Sequence, residues 1–298
     1  MDTRFRRILL AFLLPVLGAP GCAKKEGEKP RRSRIAFSIE REGLKADLWV
    51  MDADGSNAVQ VGLHDAQNET PAWSPDGQDL IFASERDYVR CLYLWDGTLK
   101  RLTSGPFIER SPSWSPDGVK IAYMSNRDGN WEIYVADADG GYPRRLTDDP
   151  AVDRDPAWSP DGKWIAFVSS RPGAEDLHLM APDGTEVKRL TKDRAWDGKP
   201  AWSPDGRRIA WSSMREGKPA IFVMEVATGD VRRLTPPGAD CDSPAWSPDG
   251  KRIAYLSNPD GCNEIYIMGA DGRDARRLTR LGGTIQSLSW SANLPPFP

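Results

Sequence analysis

Six tryptophans recur along this chain at a nearly fixed interval, and that interval constrains the fold more than any other feature. They stand at Trp73, Trp114, Trp158, Trp202, Trp246 and Trp290, separated by 41, 44, 44, 44 and 44 residues. Five of them open the same pentapeptide, Trp-Ser-Pro-Asp-Gly, starting at residues 73, 114, 158, 202 and 246. Proline there suits the second position of a turn, and glycine suits the left-handed position that follows. After each turn comes an apolar run such as Ile121 to Ser125, a second turn such as Arg127 to Asn130, and a further run such as Glu132 to Ala136. A third turn, Asp137 to Gly140, leads to the short segment Arg144-Arg145-Leu146-Thr147. Each period therefore encodes four short antiparallel strands.

Four strands in a period of about 40–45 residues make one blade of a β-propeller. The third strand of the unit can be counted six times, at Leu48, Leu92, Ile133, Leu177, Ile221 and Ile265, which predicts six blades. The first repeat begins at Arg34-Ile35-Ala36-Phe37 without an innermost strand, whereas Thr284 to Ser291 supplies an extra one at the other end. The expected fold is all-β, a six-bladed β-propeller over residues 34–291 closed by N- and C-terminal strands in one shared blade, with residues 292–298 as a tail. Composition narrows the function classes: two histidines leave little room for histidine-based catalysis or a histidine-rich zinc site, and a net charge of -3 gives no reason to expect nucleic acid.

The start of the chain reads as an address. Arg4, Arg6 and Arg7 precede an apolar run from Ile8 to Gly18 that is too short to span a bilayer, and small residues then lead to Cys22. Residues 1–21 are therefore expected to be a signal peptide. The Gly21-Cys22 junction resembles the lipobox of bacterial lipoproteins, which implies lipidation of Cys22; Ala19 and Pro20 depart from that pattern, and ordinary secretion is the alternative. Residues 22–33, rich in Lys, Arg, Glu and Gly, read as a solvated, lipidated tether. The expected location is the bacterial envelope, facing the periplasm. The outer membrane is favoured over the inner because Ala23, not an aspartate, follows the cysteine.

The Trp-Ser-Pro-Asp-Gly turn with its downstream Arg-Leu-Thr strand resembles the TolB-type, WD40-like propeller repeats, and the resemblance runs from Arg34 to Ser291. It implies the propeller fold strongly and function less so. Family members carry an N-terminal α/β domain that engages membrane partners, and only about a dozen residues lie between Cys22 and the first strand here, so a propeller standing alone is expected. Related blades also occur in prolyl oligopeptidase-like enzymes, where a separate hydrolase domain does the chemistry.

Most other motifs have plain readings. The Asp-x-Asp-Gly segments at 52–55 and 137–140 lack the remaining ligands of a calcium loop and read as turns, so no metal and no cofactor is expected. Paired bases such as Arg144-Arg145 and Arg232-Arg233 fall on outermost strands, where charge discourages edge-to-edge pairing. His178 occupies a packed position filled by aromatic residues in the other repeats, and His64 lies in a loop. No nucleophile, zinc-protease or phosphate-loop motif occurs.

In a four-stranded blade the repeated turns share one face of the disc and the variable loops share the other. Irregular loops on a rigid scaffold usually carry recognition. The loop face is expected to offer Glu69, Phe107, Glu109, Arg110, Trp131, Asp153, Arg154, Asp155, Trp196, Asp197, Lys199 and Asp242 for binding. A disulfide between Cys241 and Cys262 is expected there too, since export permits one. Two functions follow: a monomeric, non-catalytic module that binds an envelope protein or peptidoglycan-associated ligand and touches the membrane only through its lipid anchor, or a polysaccharide-acting enzyme using acidic and basic side chains at the channel mouth.

Overall fold

The repeated turn is self-contained chemistry. In the third repeat the Ser115 hydroxyl donates to Asp117 Oδ1 (2.5 Å) and accepts the Lys120 N–H (2.9 Å), while the Val119 N–H donates to the same carboxylate oxygen (3.1 Å). Gly118 takes φ +71°, a conformation costly for any residue with a Cβ. The turn at Ser203 repeats the pattern, with Ser203 Oγ 2.5 Å from Asp205 Oδ1. Such turns fold the chain back on itself and fix the register of the two strands they join.

The computed structural model describes residues 33–61, 66–86, 88–171 and 173–291. The signal segment, Cys22, His64 and the tail lie outside these residues. The described chain forms six four-stranded antiparallel sheets. In the third blade the strands are Glu109–Trp114, Lys120–Ser125, Glu132–Asp137 and Arg144–Arg145, from the channel outwards. The innermost strands contact one another around the ring. The expected closure is present: Thr284–Trp290 pairs with Arg34–Glu40 from Ile35 opposite Trp290 to Glu40 opposite Thr284, and Asp47–Asp52 and Val59–Val61 complete that first blade.

The core lies between blades. Large side chains on the second and third strands pair across each sheet, as in Tyr123 with Tyr134 (centroids 5.9 Å apart) and Trp211 with Phe222 (5.9 Å). Leu177 and Val168 of the fourth blade pack against Trp211 and Phe222 of the fifth. His178 takes the aromatic place in its blade, 5.5 Å from Phe167, with Nδ1 3.1 Å from the Asp176 carbonyl. Burial holds this imidazole below its ordinary pKa, so it sits neutral in the core.

The motif tryptophans tie each blade to the one before it. The indole N–H of Trp114, Trp202 and Trp246 donates to the carbonyl of Ala72, Ala157 and Ala201, each at 3.1 Å. Where the preceding blade carries serine instead, the hydroxyls of Ser113 and Ser289 accept the backbone N–H of Trp158 (3.1 Å) and Trp73 (3.4 Å). The indole N–H of these two finds no acceptor.

The paired bases do more than guard edges. Arg144 donates to the carbonyls of Asp183 (3.0 Å) and Pro182 (3.1 Å) in the next blade, and Arg232 does the same to Asp271 and Ala270. The second base turns inward: Arg145 Nη2 meets buried Glu132 at 2.6 Å and its Nε donates to the Thr147 carbonyl. The motif is thus a clamp within and between blades.

Candidate functional site

The channel through the ring is shaped by a proline in five of the six innermost strands. Proline has no N–H to give the ladder, and in five strands the pairing slips just there, between Glu69 and Ala72, Arg110 and Ser113, Arg154 and Ala157, Gly198 and Ala201, and Asp242 and Ala245. The residue ahead of each proline is driven into the left-handed region: Thr70 (φ 49°), Ser111 (50°), Asp155 (52°), Lys199 (55°) and Ser243 (54°). Non-glycine residues rarely accept this conformation, and the surrounding sheet must enforce it. These five, with Ser287 of the closing strand, line the waist of the channel, a cavity of about 140 Å³.

On the loop-face side the waist opens into a mouth of about 450 Å³. Glu69, Arg110, Trp131, Arg154, Asp155 and Lys199 all line it, so six of the sequence-predicted residues converge on one cavity. Their charges are organised. Arg154 is a hub: Nη1 donates to Asp155 (2.8 Å), Nε and Nη2 hold Glu175 in a fork (3.0 and 2.5 Å), and the guanidinium lies over the Trp196 ring at 5.6 Å. Asp155 also accepts from the Ser111 hydroxyl (2.8 Å). Burial works to raise its carboxyl pKa, but the charges of Lys199 and Arg154 and the hydrogen bonds hold it below the ordinary range, so it is an anion. Glu69 lies 3.4 Å from Arg90 and 3.8 Å from Arg110.

The other six predicted residues are placed differently. Glu109, Asp153 and Asp197 are buried rather than presented, because arginines 18 residues later fold back onto them. Arg127 pairs with Glu109, Arg171 with Asp153 (2.5 Å) and Arg215 with Asp197 (3.4 Å). Burial nevertheless pushes the Asp153 carboxyl up to about 6. Phe107 folds down over the blade top, where a Cβ on Gly105 would come within 2.8 Å of its ring, and Arg127 covers it at 5.7 Å. Trp196 packs against Gly198 as the platform for Arg154. Asp242 accepts from the Ser212 hydroxyl (2.5 Å) and the Ser243 N–H (2.7 Å).

The expected disulfide is not formed. Cys241 is buried in its strand, with Sγ 3.5 Å from Ser257 Oγ, while Cys262 is exposed, and both are free thiols, as is buried Cys91. Cys241 begins an inner strand and faces the sheet, so its side chain is committed to the core. Sequence reasoning did not single out Tyr88, a fully exposed aromatic on the loop-face hairpin of the second blade with φ 65°; an aromatic at a hairpin tip with no repeat counterpart was the available signal. It also missed Met124, Val152 and Gln286 at the mouth.

Fold and channel together define a six-bladed propeller whose variable face opens into a charged, aromatic-walled mouth. The TolB beta propeller domain model matches residues 88–197 and 190–294, more than half of the chain, and the chain belongs to that family. A Tol-Pal system protein TolB from Coxiella burnetii is 34% identical over 77 residues, 25% of this chain and 18% of that protein. The chain thus spans under a fifth of the length of that relative. The crystal structure of TolB from Acinetobacter baumannii superposes with a TM-score of 0.80 at 28% identity, covering 87% of this chain and 66% of that one. An oligogalacturonate lyase from Vibrio parahaemolyticus superposes with a TM-score of 0.57 at 15% identity over 82% of this chain and 74% of the lyase, a likeness of fold alone.

Proposed function

We propose that this propeller is a non-catalytic binding module of the bacterial envelope that captures a protein partner through its loop-face mouth. The observation that carries this reading is the convergence of Arg110, Trp131, Arg154 and Lys199 on one cavity with a rigid wall. Interfaces draw most of their energy from a few aromatic and arginine anchors held in place before binding. Membership of the TolB propeller family, together with TolB relatives that bear the Tol-Pal name, supports an envelope protein as the partner. The export signal and Gly21-Cys22 junction support a lipid-anchored protein facing the periplasm, on the outer membrane in preference to the inner.

The polysaccharide-acting alternative needs a carboxyl group free to move a proton. The mouth carboxylates are instead engaged by basic groups: Asp155 by Arg154, and Glu69 by Arg90 and Arg110. No specific observation favours that alternative.

The test is capture from envelope extract. The double variant Arg110→Glu, Trp131→Ala should lose the partner that wild type retains, at an unchanged melting temperature to within a few degrees. Val119→Glu on the opposite face, where Val119 is exposed, should capture normally. Equal capture by all three proteins refutes the reading.

A further inference from the structure

The channel has a second opening, on the face of the repeated turns, and its chemistry is the reverse of the mouth's. Every residue lining this cup of about 530 Å³ is Pro, Ala, Trp, Ser or Leu, and none carries a charge. Its volume lies within the range of ligand cavities, about 300–1,000 Å³. Two tiers of proline build the wall. The inner tier is the buried prolines of the strand bulges, such as Pro156, with Leu288 in the sixth place; the outer tier is the turn prolines Pro75, Pro116, Pro160, Pro204 and Pro248. Pro75, Pro160 and Pro204 are exposed, and Trp73, Trp114, Trp158 and Trp202 between the tiers are only half-buried. Contiguous apolar surface that opens to water in this way marks a place where something docks.

The outer tier has one gap. In the closing strand Trp290-Ser291 is followed by Ala292, where the other five repeats have proline. Ser291 lines the cup at that gap and is pinned there: its N–H donates to the Arg34 carbonyl (2.8 Å) and its hydroxyl accepts the Arg34 N–H (2.8 Å). Residues 292–298, which follow it, read Ala-Asn-Leu-Pro-Pro-Phe-Pro and carry no charge, in a chain that is 28% charged. Seven residues at about 3.1 Å each reach about 20 Å in a proline-set backbone. That exceeds the width of a rounded cavity of 530 Å³.

We propose that residues 292–298 fold back into this cup, with Leu294 and Phe297 against its prolines and indoles. Aromatic-lined surfaces take proline-rich segments in this way because the preset backbone loses little entropy on docking. A segment joined to the cup at Ser291 also docks at the high effective concentration of an intramolecular partner. Seated there, it closes the turn-face opening and leaves the channel open only at the loop-face mouth.

The experiment uses the full chain with a benzophenone side chain in place of Phe297, irradiated in dilute solution, with the adducts mapped by peptide mass spectrometry. Adducts should lie within one molecule, on the cup-lining stretches 71–75, 112–116, 156–160, 200–204 and 244–248. Attachment at Ser291 alone brings the segment near the cup, so a second chain carries Leu294→Asp and Pro296→Asp as well. Both lie beyond the closing strand, so the propeller itself is untouched. Cup adducts from this second chain should fall at least about fivefold, because exposing even one leucine costs more than about a factor of ten in the docking equilibrium. Equal cup adducts from the two chains overturn the proposal, as do adducts confined to the loop face or the outer strands, or no protein adduct at all. Adducts that join two copies and vanish on dilution would give the cup to a second molecule and overturn the intramolecular seat.

Discussion

The aspartates of the repeated turn show how a single residue can couple fold to solution conditions. The carboxyls of Asp117, Asp161 and Asp249 are held below the ordinary aspartate range, chiefly by the serine hydroxyl that donates to each. Asp96 is drawn down to about 2 by Lys100 and Thr98. A carboxyl whose folded pKa is depressed contributes stability that is present above the unfolded value, about 3.9, and is lost as pH falls through the folded value. The melting temperature should therefore hold at neutral pH and fall between about pH 4 and pH 2. Asp161→Asn should make that fall shallower, and an identical pH profile for variant and wild type would contradict the assignment. This chemistry was legible in the sequence, since Ser-Pro-Asp-Gly names its own donor and acceptor. The burial of Glu109, Asp153 and Asp197 was not read correctly, although Arg127, Arg171 and Arg215 recur at the same 44-residue interval as the acids they pair with in the later two repeats. An acid at a loop entry looks exposed until the repeat is read two-dimensionally, with each charge set against the residues that share its period.

At the scale of the element, the blade is a sheet that cannot stand alone, and at Trp114, Trp202 and Trp246 an indole hydrogen bond adds to its packing against the blade before it. Trp202 makes that bond to Ala157, and Trp158, in the same position of the previous blade, does not. Replacing each by Phe removes a similar apolar area, so the difference between the two isolates the hydrogen bond. Trp202→Phe should cost about 1 kcal/mol more than Trp158→Phe in urea unfolding. Equal losses would show that the indole serves only to pack. The sequence distinguishes the two in advance, because Ser113 precedes Trp158 by one repeat where Ala157 precedes Trp202. What sequence reading did not supply is the clamp by which Arg144 and Arg232 reach the next blade. Alternation of charge along an edge strand predicts solubility, and only the ring geometry brings those guanidinium groups within reach of the neighbouring turn.

For the whole molecule, closure decides stability, because each blade buries its faces against two others and an open ring leaves two faces wet. Ending the chain before Thr284 removes the innermost strand of the first blade. The truncated protein should lose cooperative melting or melt far below the full chain, and a wild-type transition would contradict the shared blade. Blade number and closure were legible because the period equals one blade. The mouth was legible only in part. The waist beneath it is lined by the position before proline, at which the repeats disagree, reading Thr70, Ser111, Asp155, Lys199 and Ser243 in chain order. That disagreement is visible in sequence, but the bulge and left-handed backbone that turn the position toward the axis are not.

The central claim is that the loop-face mouth, and not the repeated-turn face, meets the partner. Site-specific photo-crosslinking in cells tests it most directly, with a benzophenone side chain placed either at Trp131 in the mouth or at Val119 on the opposite face. The account predicts a discrete protein adduct from position 131, competed by unlabelled wild-type propeller, and none from position 119. An adduct from position 119 with none from position 131 would place recognition on the other face and contradict it.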